Sequence, residues 1–271
     1  MEYKKLFLKD ITNRKVGDES FVEFYLNEKN SEINIEPRLG MIVLPGGGYD
    51  YCSQREAEPI ALRYMSEGFN CFVLHYTCKT SYPLPHAEVA ALFEFIQNNT
   101  QKLNILPNHI SIVGFSAGGH LASSYGIVYK EFEEKYNLEK DFLKPLTLIL
   151  AYPVTNLFVD TNSLTRSNIT GDKEELRKKL SVPQNIKEDY PPTYIWTTKT
   201  DECVPIIHSL QLIDSLKNNN VPHQFDMFEK GIHGGSLCNH GVYDINFDFE
   251  SIKENKKWIE NSVDFIYKNL K

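Results

Sequence analysis

The chain has 271 residues, of which 41% are hydrophobic and 24% are charged, and its formal net charge at pH 7 is −7. This composition is typical of one globular domain, and the acidic balance argues against nucleic acid or an anionic membrane surface as a partner. The first ten residues lack the apolar centre of a secretory signal, and no run approaches a membrane span, so we expect a cytoplasmic protein.

Apolar runs of strand length alternate with amphipathic stretches of helical length along the chain. This pattern predicts one α/β domain over residues 1–271, with a mostly parallel sheet and helices on both faces. The predicted strands are residues 21–26, 41–44, 71–76, 110–113, 146–150, 193–197 and 224–228. The predicted helices are residues 56–66, 87–98, 117–128, 206–218 and 254–269.

Residues 156–192 form the one long interval without a clear strand, and we expect a small cap region there that shapes the substrate pocket. The five cysteines are widely spaced and contain no Cys-x-x-Cys pair, which predicts free thiols in a reducing compartment and no zinc site: Cys52, Cys71, Cys78, Cys203 and Cys238. None of them lies in a recognisable signature of a cysteine nucleophile.

Three consecutive glycines follow the predicted strand 41–44, in the run Pro45-Gly-Gly-Gly-Tyr49. Glycines let backbone amides approach a ligand where a side chain would obstruct it. Alone, the run is also compatible with a flexible turn or a phosphate cradle. The phosphate alternative lacks both the Gly-Lys-Ser/Thr ending and the Gly-x-Gly-x-x-Gly spacing.

The strongest local signal is Gly114-Phe-Ser-Ala-Gly118, which joins the predicted strand 110–113 to a helix rich in small residues. This is the context of a nucleophile elbow, in which a tight turn presents a serine at a helix N-terminus, so Ser116 is the predicted nucleophile. The pattern itself is short enough to occur by chance in unrelated proteins. Combined with the glycine loop, it predicts Gly47, Gly48 and Ala117 as amide donors to an oxyanion.

In folds that carry a nucleophile elbow, an acid and a histidine follow the serine along the chain, on loops after late strands. Asp201 lies just past the predicted strand 193–197 and is the predicted acid. Glu202 is the rival carboxylate, and the alternative role for Asp201 is that of a turn or helix-capping residue.

The predicted base is His233, in the glycine-rich loop after the last predicted strand. His240 is the nearest rival and lies seven residues farther along the chain. His120 lies inside the elbow helix, where a packing or capping role fits better. The predicted triad is therefore Ser116, Asp201 and His233.

Together these motifs resemble the esterase and lipase branch of the α/β hydrolases, particularly small bacterial acetyl esterases and acetylxylan esterases of the BD-FAE-like group. The resemblance covers most of the chain, and its other motifs are Arg55-Glu-Ala-Glu-Pro59, Ala151-Tyr-Pro-Val154, Pro191-Pro-Thr193, Asp201-Glu-Cys-Val-Pro205 and Gly231-Ile-His-Gly234. It implies an α/β-hydrolase fold and a serine esterase that removes small acyl groups, acetyl above all, from carbohydrate such as xylo-oligosaccharides. It implies neither a metal nor an organic cofactor, and it leaves open whether the protein is a homo-oligomer.

Several details of the resemblance bear on specificity. Pro45 stands where many lipases carry histidine, which argues against long-chain lipid substrates. Arg55 and Glu56 are interpreted as a buried ion pair that braces the oxyanion loop, with surface charges as the alternative. The candidate aromatic platforms for sugar rings are Tyr49, Tyr51 and Trp196, although aromatics at strand ends more often belong to the core.

Two other functions remain open from the sequence. An amidase or peptidase of the same fold, including an arylformamidase, would use the same triad on an amide. A binding protein that keeps the fold and has lost its activity is the other alternative.

Overall fold

The computed structural model describes residues 1–29, 32, 37–159, 163–244 and 246–270. Eight strands lie within this part of the chain: β1 (Glu2–Phe7), β2 (Phe21–Leu26), β3 (Arg38–Leu44), β4 (Asn70–His75), β5 (Ile105–Phe115), β6 (Leu148–Ala151), β7 (Thr193–Thr198) and β8 (His223–Phe228). They form one sheet in the order β1-β2-β4-β3-β5-β6-β7-β8. Strand β2 pairs antiparallel with both of its neighbours, β1 and β4. All the other neighbouring pairs, from β4 and β3 across to β7 and β8, are parallel.

The described residues also form nine α-helices: α1 (Leu8–Ile11), α2 (Glu58–Ser66), α3 (Leu84–Asn98), α4 (Thr100–Leu103), α5 (Ala117–Tyr136), α6 (Ser163–Thr170), α7 (Glu174–Leu180), α8 (Ile207–Asn218) and α9 (Trp258–Lys268). Short 3₁₀ helices lie at Gln54–Glu56, Val182–Gln184 and Glu250–Lys257. None of the helices in these ranges is both long and apolar enough to cross a membrane.

The core lies on both faces of the sheet because alternate side chains of a strand point in opposite directions. In β3, Ile42 and Leu44 belong to the core cluster that also contains side chains of α3, α5 and α8. Met41 and Val43 belong to the second cluster, with side chains of α2 and α9. All seven residues of β3 are buried, as expected for a central parallel strand covered on both sides. The predicted architecture of a mostly parallel sheet between two helical layers is confirmed.

The sheet differs from the prediction most clearly at its edge. Strand β1 was not predicted, because five of its six side chains are exposed and leave no buried face for a pattern to show. It pairs with β2 through its backbone, with Glu2 opposite Leu26. Its lysines, Lys4 and Lys5, are the kind of side chain that keeps an exposed edge from pairing with another chain.

The carboxyl-terminal helix also differs. It was predicted to begin at residue 254, yet residues 250–257 form a 3₁₀ helix and α9 begins at Trp258. The backbone of Ile252 leaves helical geometry with φ −128°, so the 3₁₀ segment itself is kinked. The predicted cap interval contains α6, α7 and a 3₁₀ turn, and its residues 160–162 lie outside the described ranges.

The carboxyl ends of four strands meet on one edge of the sheet and carry the predicted site. The glycine loop follows β3, Ser116 follows β5, Asp201 follows β7 and His233 follows β8. In open α/β sheets, this edge is where ligands bind.

Candidate active site

Ser116 is the turn residue between β5 and α5, and its backbone has φ 53° and ψ −114°. A residue other than glycine rarely adopts positive φ, so this is a strained position held by its surroundings. The turn is tight: a Cβ on Gly118 would lie 2.2 Å from the carbonyl oxygen of Leu44, and one on Gly114 would lie 2.3 Å from that of Gly118. The two glycines of the elbow are therefore required by close backbone packing, and Ser116 is lifted to the carboxyl edge.

His233 lies between Ser116 and Asp201. Its Nε2 is 2.8 Å from Ser116 Oγ, and its Nδ1 is 2.8 Å from Asp201 Oδ2. An ionised carboxylate only accepts hydrogen bonds, so Nδ1 carries the proton and Nε2 is left to accept the hydroxyl proton of Ser116. The structure thus joins the three predicted residues in one hydrogen-bonded chain, 117 residues apart in sequence between serine and histidine.

Asp201 is held rigidly. Its side chain is only 1% exposed, and its Oδ1 accepts hydrogen bonds from the amides of Cys203 and Val204, each at 2.9 Å. These amides leave Oδ2 aimed at the imidazole. The neighbouring Glu202 is exposed on the cleft wall, and Asp201 makes the contact with His233.

The two rival histidines lie elsewhere. His240 is exposed, and its ring packs edge-on against Phe249 with centroids 4.4 Å apart. His120 is fully buried: its Nε2 donates to the carbonyl of Leu180 at 3.0 Å, so its Nδ1 accepts from the hydroxyl of Tyr49 at 2.8 Å. Burial lowers the pKa of His120 to about 4. It is a neutral packing residue that links the glycine loop, α5 and the end of α7.

Two of the three predicted oxyanion donors, Gly47 and Gly48, line the same cleft as Ser116, and Ala117 follows Ser116 directly in the chain. Gly47 has φ 124° and Gly48 has φ 65°, conformations that favour glycine, and Ala117 is the first residue of α5. None of the hydrogen bonds among the described residues uses the amides of Gly47, Gly48 or Ala117. These three amides are available to a ligand beside Ser116, and the positive end of the α5 dipole lies there as well.

Glu56 anchors the glycine loop from behind. It is 3% exposed, its Oε2 accepts the amide of Gly46 at 2.8 Å, and its Oε1 accepts the hydroxyl of Tyr152 at 2.7 Å. The same hydroxyl accepts the amide of Ser236 at 3.0 Å. Burial raises the pKa of Glu56, and the hydrogen bonds from Tyr152 and Gly46 oppose that rise.

The expected ion pair between Arg55 and Glu56 is wrong. Across the described part of the chain, no ion pair joins these two residues, and Arg55 is exposed. Its guanidinium lies over the ring of Tyr243, 4.8 Å from the centroid. Neutral donors bond to the Glu56 carboxylate, so bracing of the loop does not require a paired cation.

A cleft of about 620 Å³ opens above Ser116 and His233. Most of its lining side chains are polar or charged: Asp50, Tyr51, Ser53, Arg55, Glu56, Thr165, Glu202, Cys203 and His208. Its apolar side chains are Val154, Leu164, Val204 and Pro205. Leu164 and Thr165 come from α6, so the predicted cap interval supplies part of the wall.

The three candidate sugar platforms differ in how far their side chains are buried. Tyr49 and Trp196 are fully buried in the core, so neither can contact a ligand in the cleft. Tyr51 is 59% exposed and lines the cleft. The cap interval also exposes two large apolar side chains, Phe158 and Leu164.

The comparison with solved structures identifies the fold. A carboxylesterase from Lactobacillus plantarum WCFS1 superposes with TM-score 0.86 at 27% identity, over 99% of this chain and 98% of that one. An α/β hydrolase from a Medee basin deep-sea metagenome gives TM-score 0.79 at 26% identity over 99% and 98%. An acetyl ester-xyloside bifunctional hydrolase from Caldicellulosiruptor lactoaceticus gives 0.77 at 29% identity over 97% of each chain. The chain has the α/β-hydrolase fold.

The model of the BD-FAE family matches residues 23–216. The chain belongs to the BD-FAE family. The endo-1,4-beta-xylanase B of Butyrivibrio fibrisolvens is 31% identical to it over 207 residues, which are 73% of this chain and 33% of that protein. The acetylxylan esterase of Xylanibacter ruminicola is 26% identical over 203 residues, or 72% of this chain and 40% of that protein. The chain spans less than half the length of these curated relatives.

Sequence reasoning missed one residue of this BD-FAE site. Tyr152 bonds to Glu56 and to the amide of Ser236, and its ring packs edge-on against the imidazole of His233 with centroids 5.0 Å apart. The signal was present, because Ala151-Tyr-Pro-Val154 was one of the matching motifs. What the sequence lacked was any indication of its partners, one of which lies 96 residues away.

Proposed function

We propose that this BD-FAE chain is a serine carboxylesterase that releases small acyl groups, acetyl above all, from carbohydrate. The observation that carries the proposal is the chain of two 2.8 Å hydrogen bonds from Ser116 through His233 to Asp201. A serine hydroxyl needs a base in contact with it to become a nucleophile at neutral pH, and His233 is in that position.

The reaction would proceed through an acyl-enzyme. Ser116 Oγ attacks the carbonyl carbon of the ester as His233 Nε2 takes its proton, and the Asp201 carboxylate stabilises the resulting imidazolium. The amides of Gly47, Gly48 and Ala117 donate to the oxyanion of the tetrahedral intermediate. His233 then gives its proton to the leaving alcohol, and water, activated by the same imidazole, releases the acid and restores the serine.

Two features support a hydrated leaving group such as a sugar. The lining side chains of the cleft are mostly polar, and exposed Tyr51 on its rim has the flat, amphipathic ring that stacks on sugars. The names of two relatives, an acetylxylan esterase and an acetyl ester-xyloside hydrolase, point the same way. We include residues 156–192 in this proposal as a small cap that shapes the substrate pocket.

The test is a screen of acetylated xylo-oligosaccharides in which loss of acetyl groups is followed by mass spectrometry. We expect stepwise removal of ester-linked acetyl groups. An N-acetylated amino sugar oligomer serves as the matched amide substrate and is expected to remain intact. Cleavage of the amide with retention of the esters would contradict the esterase assignment and favour an amidase of the same fold.

A further inference from the structure

Two free cysteines face each other behind the glycine loop. Cys52 Sγ lies 3.9 Å from Cys78 Sγ, and both thiols are within hydrogen-bond range of the carbonyl oxygen of Tyr76, at 3.8 and 3.5 Å. Both residues are partly exposed. The first follows β3 and the second follows β4, so the contact joins two separate connections at the carboxyl edge of the sheet.

We propose that Cys52 and Cys78 are a modification site, at which exchange with a low-molecular-weight disulfide such as oxidised glutathione produces an intramolecular disulfide. A disulfide requires about 2.0 Å between the sulfurs, so the two atoms must approach by about 1.9 Å from the 3.9 Å at which they lie. That movement is shared between two connections with partly exposed side chains. The mechanism proposed for the esterase uses neither residue.

The two thiols differ in the direction of their pKa shifts, which favours one order of the steps. The contact between the two sulfurs lowers the pKa of the Cys78 thiol, whereas the same contact and burial raise the pKa of the Cys52 thiol. Since the thiolate is the nucleophile in exchange, Cys78 reacts first.

Cys78 thiolate attacks one sulfur of the small disulfide, whose sulfur–sulfur bond breaks and releases one thiolate. Cys52 then loses its proton to solvent and attacks Cys78 Sγ, expelling the second thiolate. The protein dithiol is oxidised by two electrons, and the small disulfide is reduced to two thiols.

The bond would reinforce a contact that already exists between residues 76–79 and the glycine loop. Tyr76 donates its hydroxyl to the carbonyl of Pro45 at 2.7 Å, and the Lys79 amide donates to the carbonyl of Tyr49 at 2.7 Å. An ion pair of 3.2 Å joins Lys79 to Asp50. A covalent link here restricts the unfolded chain and ties the loop that carries Gly47 and Gly48 to the end of β4.

The experiment incubates the folded protein with oxidised glutathione, quenches it with acid and maps the peptides without reduction. The background is Cys203→Ser, because Cys203 is the exposed thiol, whereas Cys71 and Cys238 are buried. We expect a Cys52–Cys78 cross-linked peptide and a thermal midpoint that rises on the order of 5 °C. Absence of the cross-linked peptide, or a midpoint that does not rise, would overturn the proposal.

Single variants test the order of the steps. In Cys52→Ser, Cys78 is expected to keep a stable mixed disulfide with glutathione, because the resolving thiol is gone. In Cys78→Ser, Cys52 is expected to remain a free thiol over the same incubation. Reaction of Cys52 but not Cys78 would overturn the assignment of Cys78 as the attacking residue.

Discussion

The carboxylate of Glu56 accepts the amide of Gly46 at 2.8 Å, immediately before the two glycines that line the cleft. Through its other oxygen it also accepts the hydroxyl of Tyr152, whose ring packs against His233. One buried carboxylate therefore sets the positions of both the proposed oxyanion donors and the loop of the proposed base.

Replacement of this carboxylate tests that link. Glu56→Gln keeps the shape of the side chain but replaces one of the two acceptor oxygens with an NH2 group. The Gly46 amide and the Tyr152 hydroxyl each donate to a separate oxygen of Glu56, so one of these buried donors loses its partner. We expect a loss of about 1–3 kcal/mol in the free energy of unfolding, together with a clear fall in kcat for p-nitrophenyl acetate. Urea unfolding and initial rates measure the two effects.

Glu58→Gln is the matched control, since Glu58 is exposed at the start of α2. We expect it to change neither quantity appreciably. If Glu56→Gln behaves like Glu58→Gln, Glu56 does not hold the loop.

Stability should depend on pH through His120. Its pKa lies at about 4 in the folded protein against an ordinary value of 6.5, so the unfolded chain binds the proton first as pH falls. The contribution of the neutral imidazole to the free energy of unfolding is complete above pH 6.5 and is lost as the pH falls toward 4. The shift corresponds to about 3 kcal/mol in the free energy of unfolding.

The measurement compares urea unfolding of the wild type and His120→Gln from pH 7 to pH 4. Glutamine does not titrate, so the stability difference between the two proteins should shrink as pH falls. His109→Gln, which alters a histidine whose ring contacts the nearby carbonyl of Pro107, is the control and should leave the pH dependence unchanged from that of the wild type. Parallel curves for the wild type and His120→Gln would contradict this account of His120.

Tyr51 should contribute to binding of the sugar. Removal of an exposed stacking ring by Tyr51→Ala is expected to raise KM for an acetylated xylo-oligosaccharide about fivefold to tenfold, from roughly 1 kcal/mol of lost stacking. The increase in KM for methyl acetate, which has no sugar ring, should be smaller. Tyr51→Phe keeps the ring and should have a KM near that of the wild type. Equal increases in KM for both substrates in Tyr51→Ala would show that Tyr51 is not a sugar platform.

The preferred acyl group should be short. A pocket that accommodates an acyl chain gains roughly 0.8 kcal/mol for each methylene it buries, whereas a short pocket gains nothing and then clashes. We expect kcat/KM to fall from p-nitrophenyl acetate through butyrate to octanoate. A rate that climbs with chain length would show that the exposed Leu164 and its apolar neighbours form a lipid-binding wall, and it would leave the proposed triad intact.

The sequence predicted the features that depend on local order along the chain. Buried parallel strands appear as continuous apolar runs, and the elbow requires glycine at fixed distances from Ser116, so the central strands and the order of the site residues were visible. The edge strand β1 was not, because its exposed side chains carry no periodic signal of burial.

Contacts between distant residues were beyond the sequence for a different reason. The bond between Tyr152 and Glu56 spans 96 residues, and the contact between Cys52 and Cys78 depends on how two connections meet at the edge of the sheet. For Arg55 and Glu56, opposite charges side by side suggested an ion pair, yet the backbone turns one side chain into the core and the other into solvent.

The central claim is that Ser116 is the nucleophile, and kcat/KM of Ser116→Ala with p-nitrophenyl acetate tests it most directly. The variant removes one oxygen from a partly exposed turn, so its urea unfolding curve should match that of the wild type. We predict a loss on the order of a thousandfold or more. A folded variant that retained a tenth of the wild-type activity would contradict the assignment.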